Sequence, residues 1–548
     1  MARNVLFAAS IVACCVVSLP AAGGRQTIDV APGVDAQRVL DTAPDGSEVR
    51  FKAGDYPIET ALYVSNKTDF VISGEPGARF VIRFSPEDAK KKSAQGFLCD
   101  GCKGLTFERL SFTTDRPVNC NGTVVAVDPE HDYYDVLIDE GFPLDAKQVL
   151  AATDTVTADG VPDFVLQSYD DTPYEITGER TIRVKGPRRS WSPKWRYDYS
   201  RLKKGQRIVY RYMRSGRHVF RLSNCEDMVF RDVTLERYAS FGVRICARSR
   251  NATFERFNVL APAGALELMP GNADGIHVQG MSGTLILKDC HFRGLGDDAL
   301  NVHSLAGFVK AYDPKTGDID IRRRVRKVGE IIHEDSWAAT GDEIIVYDPH
   351  TFLGKGRFVI SGHRRGHGRV TGLAGGLVVG DVLANNAFNP RVVVSECVFE
   401  NSSSRGILLQ SQNMLIENCR FSGHIHAGVL IAPDIRMWNE TGPAKNVEIR
   451  NCEFVRCGIG KMAANLGAIV IKASHDIGAA EYPVGVHEGI AIRDCFFHDN
   501  GTRGIYASAV RGLTLANNRF ERNAVAPDRL AEFPDVRIVN CDDVKETK

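Results

Sequence analysis

What the chain lacks narrows its function first. It has no long run of lysine or arginine, and 68 basic residues are matched by 68 acidic ones, for a net charge of zero. Phosphate backbones are bound by clustered cations, so the charge pattern argues against nucleic acid as a partner. No apolar run after residue 24 resembles a membrane anchor, so no membrane span is expected. The C-x-x-C at Cys99 and Cys102 has no second pair at zinc spacing and reads as two cysteines in a turn.

What is present is ordinary in bulk and unusual in order. At 43% hydrophobic and 25% charged residues, the composition is that of a soluble globular protein. The 548 residues suggest two to four domains. Fifty-one glycines and recurrent Asn/Cys/Gly punctuation favour many short elements joined by tight turns over long helices. The start, MARNVLFAASIVACCVVSLPAAGG, has an arginine, an apolar core and then small residues. That layout is a secretory signal, with cleavage expected near Ala22 to Gly24 and a secreted or periplasmic location. Ile11-Val12-Ala13-Cys14 also reads as a bacterial lipoprotein signal, in which Cys14 would be acylated. Twelve cysteines follow residue 24, and export permits disulfides. Five of them, Cys290, Cys397, Cys419, Cys452 and Cys495, recur at one repeated position, which points to a buried stack of small apolar groups.

The repeat is visible when segments are superposed. LTFERLSF, VFRDVTLER, ATFERFNVL, LILKDCHFRG, VVVSECVFEN, MLIENCRFSG, VEIRNCEFVR, IAIRDCFFHDN and LTLANNRFER each give an alternating strand, an Asp/Asn/Cys turn and a closing apolar residue. The closing positions are Phe112, Leu235, Val259, Phe292, Phe399, Phe421, Phe454, Phe497 and Phe520. The tightest steps are 22 to 24 residues. A second column, FGVRI, DGIHV, DALNV, RGILL, AGVLI, GAIVI and RGIYA, puts a small residue before alternating apolar ones. Alternation buries one face of a strand and wets the other. Two strand types per repeat of roughly 22 residues describe a right-handed parallel β-helix; the leucine-asparagine signature of a leucine-rich repeat is missing. A short amphipathic helix at 34–42 is expected to cap the open end. The period breaks twice, over 123 residues from Phe112 to Leu235 and 107 from Phe292 to Phe399. Loops of such length are uncommon, so both gaps are read as small β-barrel or sandwich domains inserted into the helix. The resulting division is 1–24 signal peptide, 25–112 cap and first rungs, 113–222 first insert, 223–304 rungs bearing a carboxylate cluster, 305–388 second insert and 389–548 C-terminal rungs.

The cluster follows from alignment of the second column on Gly242, Gly275, Ala299, Gly406 and Gly428. The preceding residues are Phe241, Asp274, Asp298, Arg405 and Ala427. Equivalent residues of adjacent rungs stack about 4.8 Å apart, so Asp274, Asp298 and Arg405 should form a row, with Asp297 beside it. His277 and Asn301 form the next outward column, then Gln279 and His303, while Ile276, Val278, Leu300 and Val302 point inward. Stacked carboxylates repel, and one holds its proton to higher pH. A protonated and an ionised acid in one site is the requirement of glycoside hydrolysis. An aspartate before glycine commonly serves a turn, and three carboxylates also suit calcium; like charges in register and Arg405 in the row weigh against both. No cofactor and no metal are expected.

GNADGIHVQG and RGLGDDALNVHS resemble segments of two families of β-helical glycosidases. Asn272, Asp274, Asp297 and Asp298 match the N-x-D and D-D pattern of polygalacturonases, but the next rung reads SSSRGILLQ, no R-I-K follows, and the GHG occurs only at Gly366-His367-Gly368, in the second insert. Over most of the chain the sequence is more similar to glycoside hydrolase family 110, the α-1,3-galactosidases, through ADGIHV, GDDALNVH, SRGILL and VLIAPDIRMWNETG. In the last stretch Trp438 and Glu440 match the family's W-x-E-S-G, with Thr441 for serine. The resemblance implies removal of terminal α-1,3-linked galactose, branched or linear, with inversion and without a cofactor. It implies Asp274, Asp297 and Asp298 as catalytic residues. His277, Asn301, His303, Arg405, Trp438 and Glu440 are the candidate substrate-binding residues, Trp438 by stacking on the sugar ring. Inserts that wall the cleft would make the enzyme exo-acting. A pectin-type hydrolase, a polysaccharide lyase and a non-catalytic glycan-binding β-helix are the competing classes. The flank of such a helix is open to homodimer pairing.

Overall fold

The computed structural model describes residues 25–83, 96–142, 144, 150–168, 174–185, 201–212, 218–246, 248–262, 264–322, 337–364, 366–372, 376–435, 438–460, 466–473, 482–525 and 533–547. The expected signal peptide and Cys14 lie outside the described residues. The chain coils as a parallel β-helix with three faces. One turn shows the plan: Ser282–Lys288 lies on the first face, His291–Leu295 on the second, and the strand Leu300–Tyr312 begins on the third. Each pairs in parallel with its equivalent one turn later, Thr284 with Arg391, Phe292 with Phe399 and Leu300 with Ile407.

Two local rules set this coil. Between the first and second faces a single residue takes left-handed backbone geometry: Asp289 (φ 53°), Glu396 (57°), Asn418 (54°), Asn451 (51°) and Asp494 (54°). Asparagine and aspartate tolerate that region better than other side chains, which explains the Asp/Asn punctuation. The following residue is Cys290, Cys397, Cys419, Cys452 or Cys495. All five are buried free thiols, each donating to the carbonyl two residues back at 3.1–3.4 Å. Cys99 and Cys102 are buried free thiols as well.

The second rule joins the second and third faces. The closing aromatics Phe292, Phe399, Phe421, Phe454, Phe497 and Phe520 stack with centroids 4.9–5.4 Å apart and planes within 4–11°. The start of the third face packs on these rings and on the next rung's backbone. A Cβ at Gly275 would sit 2.7 Å from the Ala299 carbonyl and 2.9 Å from the Phe292 ring; at Gly406 the distances are 2.5 Å to the Gly428 carbonyl and 2.7 Å to Phe421. The small-residue column is therefore a steric requirement of the phenylalanine column.

The helix Ala36–Thr42 has Asp35 as its N-cap, whose side chain accepts from the Arg38 amide at 3.1 Å. It packs Leu40 onto the first rungs. Strands between Asn119 and Tyr212 form a seven-stranded antiparallel sheet with its own apolar centre. A second antiparallel body grows directly from the third face: Leu300–Tyr312, Asp318–Arg322, His367–Thr371, Gly354–Arg364, Glu343–Tyr347 and Val382–Asn385 pair in that order, and the last returns to the first. This closes a six-stranded barrel around Val309, Ile321, Trp337, Ile344 and Phe358.

Removing one ring from the stack tests its weight. Phe421→Ala is expected to cost about 3–5 kcal/mol, the usual range for a buried phenylalanine, read as a lower midpoint of urea unfolding. An unchanged midpoint would mean the column is filler.

Candidate active site

The register brings the acidic column together. Val243 pairs with Ile276, Ile276 with Leu300, and Leu300 with Ile407. Phe241, Asp274, Asp298 and Arg405 therefore occupy one position on four successive rungs. Backbone bonds lock that row: Gly242 N–H to Asp274 O (2.9 Å), Gly275 N–H to Asp298 O (3.0 Å) and Ala299 N–H to Gly406 O (2.9 Å). Ile276, Val278, Leu300 and Val302 are completely buried beneath it.

The three carboxylates have different surroundings. Asp298 is 1% exposed and accepts two bonds from the Arg405 guanidinium, at 2.6 Å from Nε and 2.8 Å from Nη2. Asp274 is buried, with Oδ2 2.7 Å from His277 Nδ1. The Asp297 side chain is the most open of the three, at 21% exposure, with Oδ1 3.9 Å from Arg405 Nη2. Its carbonyl is held by the Ser402 hydroxyl at 2.7 Å.

Burial raises the Asp298 carboxyl to about 7; Arg405 pulls the other way, and Asp297 and Asp274 add like-charge repulsion. Burial lowers His277 to about 4 against the opposing pull of Glu440, so its ring is neutral at pH 7. Burial also raises Glu440.

The next columns lie under loops. His277 pairs with Asn301 and Gln279 with His303 in register. Asn301 is 5% and His303 3% exposed. Glu440–Thr441 runs antiparallel to Ser304–Leu305. Glu440 Oε1 comes 3.5 Å from His303 Nε2, and Oε2 accepts from Gln410 at 3.0 Å. Trp438, two residues earlier, is 49% exposed on the turn of that loop. Among the described residues, His277, His303 and Glu440 form a group of metal-type donors, with ligand atoms within 4.8 Å of one another.

Several contributors escaped the sequence reading. The Phe241 ring stacks on His277 (4.6 Å, 16°) and on His218 (5.0 Å, 23°), fixing the imidazole plane; its place in the aspartate column was the available signal. Gln410 follows Leu409, the partner of Val302, so it takes His303's place on the next rung and was readable from RGILLQ. The Arg211–Asp154 pair had no periodic signal. It comes from the first insert, is buried, has Nε–Oδ2 3.1 Å, and bonds the Gly296 carbonyl just before Asp297. His367 of the GHG triplet sits in the barrel, exposed and bonded to Asp320.

The inserts bound the row on two sides. From the first, Asn119 and Asn121 donate to the carbonyls of Met269 and Leu266, in the segment before Asp274. From the other side, Trp337 donates to Leu305 O (2.9 Å) and Asn439 to Ala306 O (2.7 Å).

A raised acid has a pH signature. Asp298 binds its proton more tightly in the folded chain than in the unfolded one, where carboxyls titrate near 4. Between about pH 4 and 7 this group makes stability fall as pH rises. Asp298→Asn should remove that contribution, flattening the change in unfolding midpoint between pH 5 and 7. An identical slope in the variant would contradict the assignment.

Comparison with known proteins agrees with this architecture. Residues 435–542 match the family described as right handed beta helix region. The chain is 24% identical to an α-1,3-galactosidase B of Bacteroides thetaiotaomicron over 84% of its own length and 75% of that protein's. It is 23% identical to an α-1,3-galactosidase A of Shewanella woodyi, over 79% of this chain and 72% of the other. An α-1,3-galactosidase A of Bacteroides thetaiotaomicron is 24% identical, over 82% of this chain and 78% of its own. The chain is thus a right-handed parallel β-helix similar, over most of its length, to α-1,3-galactosidases.

Proposed function

We propose that the chain is a glycoside hydrolase that removes terminal α-1,3-linked galactose from glycans by inverting acid/base catalysis. The observation that carries the reading is the register of Asp274 and the Asp297–Asp298 pair on adjacent rungs of one face. The substrate class rests on likeness to α-1,3-galactosidases over 79–84% of the chain. The glycosidase is secreted or periplasmic in this reading.

The division of labour follows from what holds each carboxylate. Asp298 is engaged on both oxygens by Arg405, so it is a poor donor toward a leaving group. Asp297 is the most accessible of the three and is assigned as the acid that protonates the glycosidic oxygen. Asp274 is oriented by His277; with Asp298 it activates the attacking water. An inverting pair needs about 6.5–9.5 Å between carboxyl groups to admit that water, which favours a diagonal pair, Asp297 with Asp274, over vertical neighbours about 4.8 Å apart. The carboxylates perform the hydrolysis themselves: water attacks the anomeric carbon, its proton passes to the base, and the acid's proton leaves with the aglycone.

The walls formed by the first insert and by the Glu440 loop limit the cleft to chain ends and make the enzyme exo-acting. Trp438 supplies a half-exposed ring for the apolar face of the sugar.

Two measurements test this. Incubation with a branched and a linear α-1,3-galactoside is expected to release free galactose, first seen as the β-anomer by proton NMR. Release of long oligomers from a polysaccharide, or of unsaturated products, would contradict it. Asp297→Asn should lose about 10²–10⁴-fold in kcat on a natural galactoside and far less on an aryl galactoside with a good leaving group. Equal losses on both substrates would remove Asp297 from the acid role.

A further inference from the structure

Two buried imidazoles meet head-on beside the carboxylate row. His277 Nδ1 faces Asp274 Oδ2 at 2.7 Å, and His303 Nδ1 faces the Ser304 carbonyl at 2.9 Å. Both partners are acceptors, so both Nδ1 atoms carry the ring hydrogen. In a neutral ring the lone pair is then on Nε2. The two Nε2 atoms lie 3.1 Å apart, and Glu440 Oε1 lies 3.5 Å from His303 Nε2. Two lone pairs and a carboxylate oxygen converging in a buried site repel one another unless a positive charge lies among them.

We propose that His277, His303 and Glu440 bind a divalent transition-metal ion of the zinc class. Ligands about 2.0–2.1 Å from a tetrahedral zinc are roughly 3.4 Å apart; two of the three separations here, 3.1 and 3.5 Å, bracket that value, and the third lies within 4.8 Å. Imidazole and carboxylate donors suit zinc, cobalt or nickel better than calcium, which takes oxygen ligands. Metal-bound histidines characteristically give their other N–H to a carboxylate or a backbone carbonyl, and here one of each is in place. A second observation points to a bound species. The amide oxygens of Asn301 and Gln410, residues 5% and 0% exposed, have no hydrogen-bond partner among the described residues. Asn301 is the register neighbour of His277, and Gln410 already donates to Glu440. Three protein ligands leave a coordination position for water, and both oxygens suit a donor from it. The ion would pin the Glu440 strand to the third face, next to the aspartates.

The site goes beyond the proposed hydrolysis, which routes no step through it, and its test is separate. Full-length protein treated with chelator and then desalted is titrated with Co²⁺ and, in parallel, with Zn²⁺ by calorimetry at neutral pH. One equivalent per chain is expected, with visible Co²⁺ absorption and a higher Tm. His303→Ala and Glu440→Gln, each checked for native circular dichroism, should bind at least tenfold more weakly, while His367→Ala in the barrel binds as the parent does. No uptake by the parent protein, as expected if a proton alone joins the two rings, would overturn the proposal. So would equal uptake by the two site variants. Galactose release without metal uptake would sink the ion and leave the hydrolase standing; uptake without galactose release would do the reverse.

Discussion

The structure depends on one steric match, the phenylalanine column of the second face against the small-residue column that opens the third. The rings fill the space a Cβ would need at Gly275, Gly406, Gly428 and Gly504 or lie beside it, and Leu235 does the same at Gly242. Once that match fixes the corner, the residue before each small residue must point outward at the same height on every rung. Parallel backbone bonds then carry Asp274 to Asp298 and Asp298 to Arg405. The carboxylate row is a consequence of a packing rule that operates inside the coil, on the opposite side of the backbone from the row itself.

Alignment alone would give three equivalent acids; their surroundings make them different. A guanidinium occupies both oxygens of Asp298, an imidazole orients Asp274, and Asp297 keeps the most exposed side chain of the three. The supports are unequal in origin. Arg405 and His277 belong to the solenoid and arrive with its register. The Arg211–Asp154 pair and the Glu440 strand come from segments that interrupt it, 85 and 137 residues from the groups they touch at Gly296 and His303. Interruptions in a repeat are the places where a uniform surface acquires walls and a floor of its own.

Much of this was legible in the sequence. Period-two alternation, the Asp/Asn bend residues and the nine closing apolar positions each report a local steric demand, and such demands repeat with the rung. The order of Phe241, Asp274, Asp298, Arg405 and Ala427, the inward set at Ile276 to Val302 and the buried cysteine ladder could all be written down beforehand for that reason. The inserts announced themselves by the lost period, but nothing in their composition distinguished an open seven-stranded sheet from a closed six-stranded barrel, because closure depends on pairing between distant strands. The meeting of His277, His303 and Glu440 was equally hidden: Glu440 arrives by antiparallel pairing with Ser304–Leu305, a contact with no periodic trace. Trp438 was expected over the sugar, and the structure shows a half-exposed ring on the turn before that strand.

The most direct measurement is a crystal structure of the Asp297→Asn variant with a terminal α-1,3-galactoside bound. The account predicts galactose in the cleft between the first insert and the Glu440 loop, with its glycosidic oxygen within hydrogen-bond distance of the residue 297 side chain and a water between the anomeric carbon and Asp274. A sugar bound elsewhere on the solenoid, or in the cleft with its anomeric carbon turned away from all three positions, would contradict it.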